Sequence, residues 1–248
     1  MDIAGDRVVI RLADWFAPQN TANIRALVRA GYFDGGVINR SQENYVVQWA
    51  GRPGADRGTA RETVRGELGV DPSLHRRAFA PIPFGDPYAP SVGTVDGFPV
   101  AKDGESLWMT HCYGMVGVGR GDEIDGADGS ELYVVIGQAP RHLDRNITLV
   151  GRLVEGMEHL TTLPRGTGPL GFYVTDGKKP PITAIRNGTD VPAAEQVSLE
   201  IMDMTTAMGR EWVQARANRT RDGWFSYSHG AIDLCNLPVP VREAPEQD

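Results

Sequence analysis

Lysine is scarce in this 248-residue chain: Lys102, Lys178 and Lys179 stand among 25 basic residues, and the rest are arginine. That shortage reads as coding bias and assigns no function. Positive charge is not in excess either. The formal net charge is −7 at pH 7, which leaves no broad cationic surface for a phosphate backbone and argues against a nucleic-acid partner. No apolar run approaches the roughly 18 residues of a membrane-crossing helix, so no membrane partner is expected. The opening MDIAGDRVVIRL lacks the basic segment and the roughly 7–15 apolar residues of an export signal.

Cysteine is nearly absent too. Cys112 and Cys235 match no metal-ligand spacing. They read as buried thiols by default, or as one disulfide in an oxidising compartment. The five histidines (His75, His111, His142, His159, His229) are scattered, and none pairs with another as in a zinc site. No G-x-S-x-G element occurs, so a serine hydrolase has no positive support. Cys112 does have His111 beside it, but neighbours on a strand point to opposite faces and would not meet. Neither a metal nor a cofactor is implied.

What remains is ordinary globular composition, 41% hydrophobic and 23% charged, with enough chain for one large domain or two small ones. Val8 to Leu12 reads as a strand with MDIA as its partner. A sheet that begins at the first residue implies a processed or shortened form. A helix opens at Pro18 with Ile24, Leu27 and Val28 as its apolar stripe, and Gly31 is placed for a left-handed cap. From Gly51 to Thr110 the chain is Gly/Pro-rich, with a helical patch at Thr59 to Leu68 and a hairpin turning at Asp96-Gly97. Strand-like runs follow at Gly114 to Val118, Leu132 to Ile136 and Ile147 to Leu153. Next come a helix over Glu155 to Leu163 and a strand over Ile182 to Arg186. The tail reads as a strand, Val197 to Ile201, then a helix, Thr205 to Arg219, with Met208, Trp212 and Ala215 on one side. Many short strands and few helices point to an antiparallel barrel.

Two motifs are set aside. GVGRG, Gly117 to Gly121, runs into Asp122, Glu123 and Asp125 rather than into a helix, so it is a tight turn and not a dinucleotide loop. The carboxylates Asp122, Asp125, Asp128 and Glu131 lack the ladder of a calcium loop and read as a solvated acidic segment.

The stretch VINRSQENYVVQW, Val37 to Trp49, carries more. Arg40 ends one apolar run, and Gln48 sits inside another next to Tyr45 and Val46. A solvated arginine and a glutamine satisfying a buried backbone group are the bland readings. The surroundings favour a functional one. VVIRLADWFAPQNTANIRALVRAGYFDGGVINR resembles the strand, the "AP-x-x-x-x-N-F" helix and the "GYYDG…FHR" segment of cyclophilin-type peptidyl-prolyl isomerases, and YVVQ resembles their "GF-x-x-QGG" strand. THCYGMVGVGR resembles "H-x-x-G-x-x-SMAR", and GSELYVVIGQAPRHLDRNITLVGRLVEGM resembles "GSQFFI…P-x-LDG-x-x-x-x-FG-x-VVEGM". Order and approximate spacing agree over about two-thirds of the chain.

The resemblance implies a mainly-β fold: a closed eight-stranded antiparallel barrel capped by two helices. It would occupy residues 1–190, with 51–110 as a long inserted loop and 191–248 as a C-terminal extension packed on the barrel. Carried over by position, it implies Arg40 and Gln48 as the catalytic residues. The substrate groove would be Tyr45, Val46, Gly119, Arg120, Tyr133, His142, Leu143 and Ile147. No metal or cofactor is implied. The partners would be proline-containing polypeptides, and the protein a monomer. Its location would be cytoplasmic as the chain stands, or periplasmic if an export signal has been removed. The chain departs from the family pattern at Ile38-Asn39, Glu43-Asn44, Trp49-Ala50, Glu131 and Ile147. This leaves a proline-peptide binding module with little isomerase activity as the alternative.

Overall fold

The computed structural model describes residues 1–73, 76–175, 179–219 and 223–245, so His75 and Lys178 lie outside it. In chain order its strands and helices are β1 (Asp2–Ile3), β2 (Asp6–Arg7), β3 (Val9–Leu12), α1 (Pro18–Arg29), β4 (Val37–Ser41) and β5 (Val46–Ala50). There follow β6 (Phe79–Ile82), β7 (Ser91–Val95), β8 (Phe98–Lys102), β9 (Leu107–Met109), β10 (Met115–Val118) and β11 (Glu131–Val135). Last come β12 (Leu149–Glu155), α2 (Met157–Thr161), β13 (Ile182–Ala184), β14 (Leu199–Ile201), α3 (Ala207–Ala217) and β15 (Val241–Glu243). They fall into two compact units, Met1–Leu68 with His111–Gln196 and Gly69–Thr110 with Val197–Asp248.

The first unit is built on a six-stranded antiparallel sheet in the order β3-β12-β10-β11-β5-β4. Its core face carries Ile38, Val47 and Trp49, all fully buried. α1 begins at Pro18, whose missing N–H costs nothing in a first turn. No side chain of its own caps it. Instead the Glu67 carboxylate accepts from the backbone N–H of Gln19 at 3.1 Å and of Asn20 at 2.9 Å, an anion placed at the positive end of the helix. That duty explains why Thr59 to Leu68 is not the expected helix. Gly66 breaks the pattern, its N–H is taken by Asp125, and Val64 bridges to Gly126 and Ala127. Gly31 has φ +69° as expected. The MDIA strand turns through Ala4 and Gly5, both at positive φ, and pairs with β2, which is the two-residue hairpin that favours such residues.

The closed eight-stranded ring expected from the sequence is not formed by continuous ladders among the described residues. β3 and β4 are the two edges of the six-stranded sheet, and β13-β1-β2 is a separate small sheet. Along the free side of β4, single bridges join Val37 to Pro181 and Arg40 to Phe172, and the Ile38 N–H donates to the Pro180 carbonyl. Pro180 and Pro181 have no N–H to return, so a regular ladder cannot extend there.

In the second unit, part of the expected inserted loop is a four-stranded antiparallel meander, β6-β7-β8-β9. β7 and β8 turn at Asp96 and Gly97, with φ +49° and +76°, as the dipeptide suggested. Pro81, Gly93 and Pro99 lie inside these strands and disguised them. β14 pairs with β15, and the Thr206 hydroxyl caps α3 by accepting from the Gly209 N–H at 3.1 Å. The buried face of α3 is Gly209, Val213 and Ala217. The expected face through Met208, Trp212 and Ala215 is not the packed one: Met208 and Ala215 are exposed, and the Trp212 indole donates to the Pro238 carbonyl. Both cysteines are disulfide-bonded, so the buried-thiol reading does not hold.

Candidate active site

Strand register brings the proposed catalytic pair together. Arg40 is the cross-strand partner of Gln48, Gln48 of Tyr133, and Tyr133 of Gly117. Cross-strand partners share a face, so four strands present one row across the sheet. Two residues later along β5 a second row reads Ala50, Glu131 and Gly119, the last through its N–H to the Glu131 carbonyl. A bulge makes this possible. Ile38 and Arg40 would share a face in a regular strand, but the register shifts between them. Ile38 therefore enters the core beside Trp49, while Arg40 emerges on the other face beside Gln48.

The Arg40 guanidinium is half-buried and held from three sides. Its Nε donates to the Leu170 carbonyl at 2.7 Å, one terminal nitrogen to the Gln48 side-chain oxygen at 3.2 Å, and the other to Gln42. Its carbon lies 5.4 Å from the ring centres of both Tyr45 and Phe172, within cation–π range. Burial pulls its pKa below the ordinary arginine value, against the opposing pull of Tyr45 and Glu131. Arginine has five N–H donors, so donors remain for a ligand. The Gln48 oxygen is committed to Arg40, which leaves its amide N–H groups to point elsewhere.

Beside the cation lies an apolar cluster of Val46, Tyr133 and Val135, with Tyr45 and Ile147 packed against it. Tyr133 is locked from below. Its hydroxyl meets the His111 Nε2 at 2.8 Å, the His111 Nδ1 meets Asp144 at 3.0 Å, and Arg141 donates to the other Asp144 oxygen at 2.5 Å. With a carboxylate at Nδ1, the imidazole carries its proton there and accepts the tyrosine O–H at Nε2. Burial lowers the His111 pKa and raises that of Tyr133, so both are neutral at pH 7. Gly117 is the residue that admits this hydroxyl, because a Cβ there would stand 2.3 Å from it.

The remaining expected groove residues are placed less tightly. The Arg120 Nε donates to the Asn146 carbonyl at 3.1 Å, and a terminal nitrogen donates to Gly121 and Asp122. It therefore braces the loop before Ile147. His142 is exposed and Leu143 half-buried, both on the short 3-10 turn Arg141–Leu143, which Asp144 ties to His111. Gln42, the Leu170 carbonyl, Phe172, His111 and Asp144 were not foreseen. Gln42 could have been found, since it lies two residues from Arg40. Leu170 and Phe172 stand some 130 positions away and carry no local signal.

A mainly-β sheet with few helices and an arginine–glutamine pair beside an apolar cluster defines the class, and comparison with known proteins defines the family. The family model for cyclophilin-type peptidyl-prolyl cis-trans isomerases matches residues 1–186, and the chain belongs to that family. Among solved structures, the cyclophilin AquaCyp293 from Hirschia baltica is similar with a TM-score of 0.73 and 21% identity, covering 96% of this chain and 88% of that one. A cyclophilin-type isomerase from Cryptosporidium parvum, crystallised in the presence of the dipeptide Ala-Pro, gives a TM-score of 0.45 and 12% identity, covering 71% of this chain and 89% of that one. No curated protein matches the chain significantly. The fold is thus cyclophilin-like and mainly β, and the family's activity is prolyl cis–trans isomerisation.

Proposed function

We propose that this chain accelerates rotation about X–Pro bonds in exposed polypeptide segments, with Arg40 and Gln48 as its catalytic pair. The observation that carries the reading is the shared face: a half-buried guanidinium, a glutamine amide and the apolar cluster at Tyr133 stand on adjacent strands. Unaided rotation faces a barrier of about 20 kcal/mol and takes tens of seconds. Turning the bond out of plane destroys amide resonance and returns a basic lone pair to the proline nitrogen. A donor aimed at that nitrogen binds the twisted state better than either planar isomer, which is the condition for catalysis. Arg40 supplies that donor, and its forked bonds to Gln48, Gln42 and Leu170 fix its direction. The Gln48 amide N–H groups, without a partner among the described residues, would hold a substrate carbonyl.

The proline ring would rest on Tyr45, Val46, Tyr133, Leu143 and Ile147, with Gly119, Arg120 and His142 meeting flanking residues. A million-fold acceleration needs roughly 8 kcal/mol of differential stabilisation. One charge-assisted contact is too small for that, so desolvation and fit must contribute most of it. The test is cis-to-trans conversion of a proline peptide with wild type, Arg40→Ala and Arg40→Lys. Removing the donor should cost roughly two to three orders of magnitude in rate. Lysine should rescue little, because it lacks the fork. Equal rates for wild type and Arg40→Ala end the proposal.

One observation favours the second reading, a proline-peptide binding module. Arg40 already has three protein partners, and Tyr133 is 5% exposed, so both are partly spoken for. That reading predicts peptide binding by titration without exchange acceleration by NMR. We also propose a monomer acting on proline-containing polypeptides in an oxidising compartment, where paired cysteines persist. Thiol titration of protein freshly isolated without reductant should find no free thiol.

A further inference from the structure

The second unit contains a cavity of about 470 Å³ between the edge strand β6 and helix α3, within the size range of small-ligand sites. Its floor is apolar and buried: Ala80, Ile82, Met204, Val213 and Leu237. Two polar features interrupt it. Thr94, 3% exposed, is a polar residue of the lining. At the rim stands Arg210, the one charged side chain among the described lining residues, with one nitrogen tethered to the Thr205 carbonyl at 2.8 Å. The tether holds the guanidinium at the mouth, and four of its five N–H donors remain.

The backbone decides between an added peptide strand and a small molecule. β6 is an edge strand, and Pro81 within it has no N–H for the ladder to β7. Pro83, just past the end of the strand, lacks an N–H as well. A peptide strand laid along this edge would find no donor at either position. Recognition there must come from side chains. We propose that this cavity binds a small amphipathic carboxylate, its aromatic or branched apolar body on the floor and its carboxylate on Arg210. The Thr94 hydroxyl would serve a polar substituent of the body. The site is independent of the isomerase reading.

The test titrates the full chain with 3-phenylpropionate and with its neutral amide, following the Met204 and Val213 methyl signals by NMR. The acid is expected to bind at least tenfold more tightly than the amide. Arg210→Gln should abolish that difference, and Arg210→Lys should keep most of it. Arg210 is exposed, so these variants retain the fold. The proposal is overturned if the acid and amide bind equally, if neither moves those methyl signals, or if the preference survives Arg210→Gln. A short peptide ending in phenylalanine that outcompetes the acid would move the occupant to a polypeptide C-terminus and also overturn it.

Discussion

Single atoms decide the floor of the candidate groove. A methyl on Gly117 would stand 2.3 Å from the Tyr133 hydroxyl, so Gly117→Ala must displace the ring. It should destabilise the protein by about 1–3 kcal/mol, read as a lower urea midpoint, and should lower isomerase activity with it. Tyr133→Phe keeps the ring but strands a buried nitrogen of His111, at a cost of about 1–3 kcal/mol. An unchanged urea midpoint for that variant would show that the hydroxyl bond contributes nothing. The same pair predicts a pH dependence. Burial holds the folded His111 pKa below its ordinary value of 6.5, so protons bind the unfolded state more readily. The stability in question is fully present above about pH 6.5 and is lost as the pH falls from there through the folded value. The urea midpoint should therefore drop between pH 7.5 and pH 5 in wild type and drop less in His111→Gln.

At the level of elements, local preference and tertiary contact disagree in ways that can be measured. Alanine exceeds glycine in helix propensity by about 1 kcal/mol, which would favour Gly209→Ala in α3. Yet a Cβ at Gly209 would lie 2.5 Å from the Met204 backbone, and backbone cannot yield as a side-chain tip can. The substitution should lower the melting temperature, and a rise would refute the close packing of α3. β4 depends on one irregularity in the same way. Deleting Asn39 removes the bulge, and Ile38 and Arg40 would then compete for one face. Circular dichroism should show the strands largely retained while isomerase activity is lost.

Over the whole molecule, each unit is assembled from two separate stretches of chain. In the second, the β7–β8 turn is covered by the tail: a Cβ on Gly97 would come 2.6 Å from Ile201, and Val239 is also adjacent. Truncation after Gln196 should leave residues 69–110 without that cover. Limited proteolysis of the truncated chain should then cut first within 69–110, where the full chain resists. Preferential cutting elsewhere would show that the meander stands without the tail.

The sequence by itself determined what is written in short range. Pro18, the Ile24–Leu27–Val28 stripe, Gly31 and Asp96-Gly97 mark a helix start, its buried face, its stop and a turn, because such signals act within a few residues. Motif order also identified the family and set Arg40 near Gln48. Tertiary structure alone decided the rest. Glu67 became a helix cap rather than part of a helix, and β6–β9 formed despite their prolines and glycines, because distant partners outweigh local preference. The bulge at Asn39, the hold of Leu170 and Phe172 on Arg40, and the fit of Tyr133 over Gly117 onto His111 likewise join residues far apart in the chain. Whether two such groups touch depends on strand register, and one extra residue reverses every side chain beyond it.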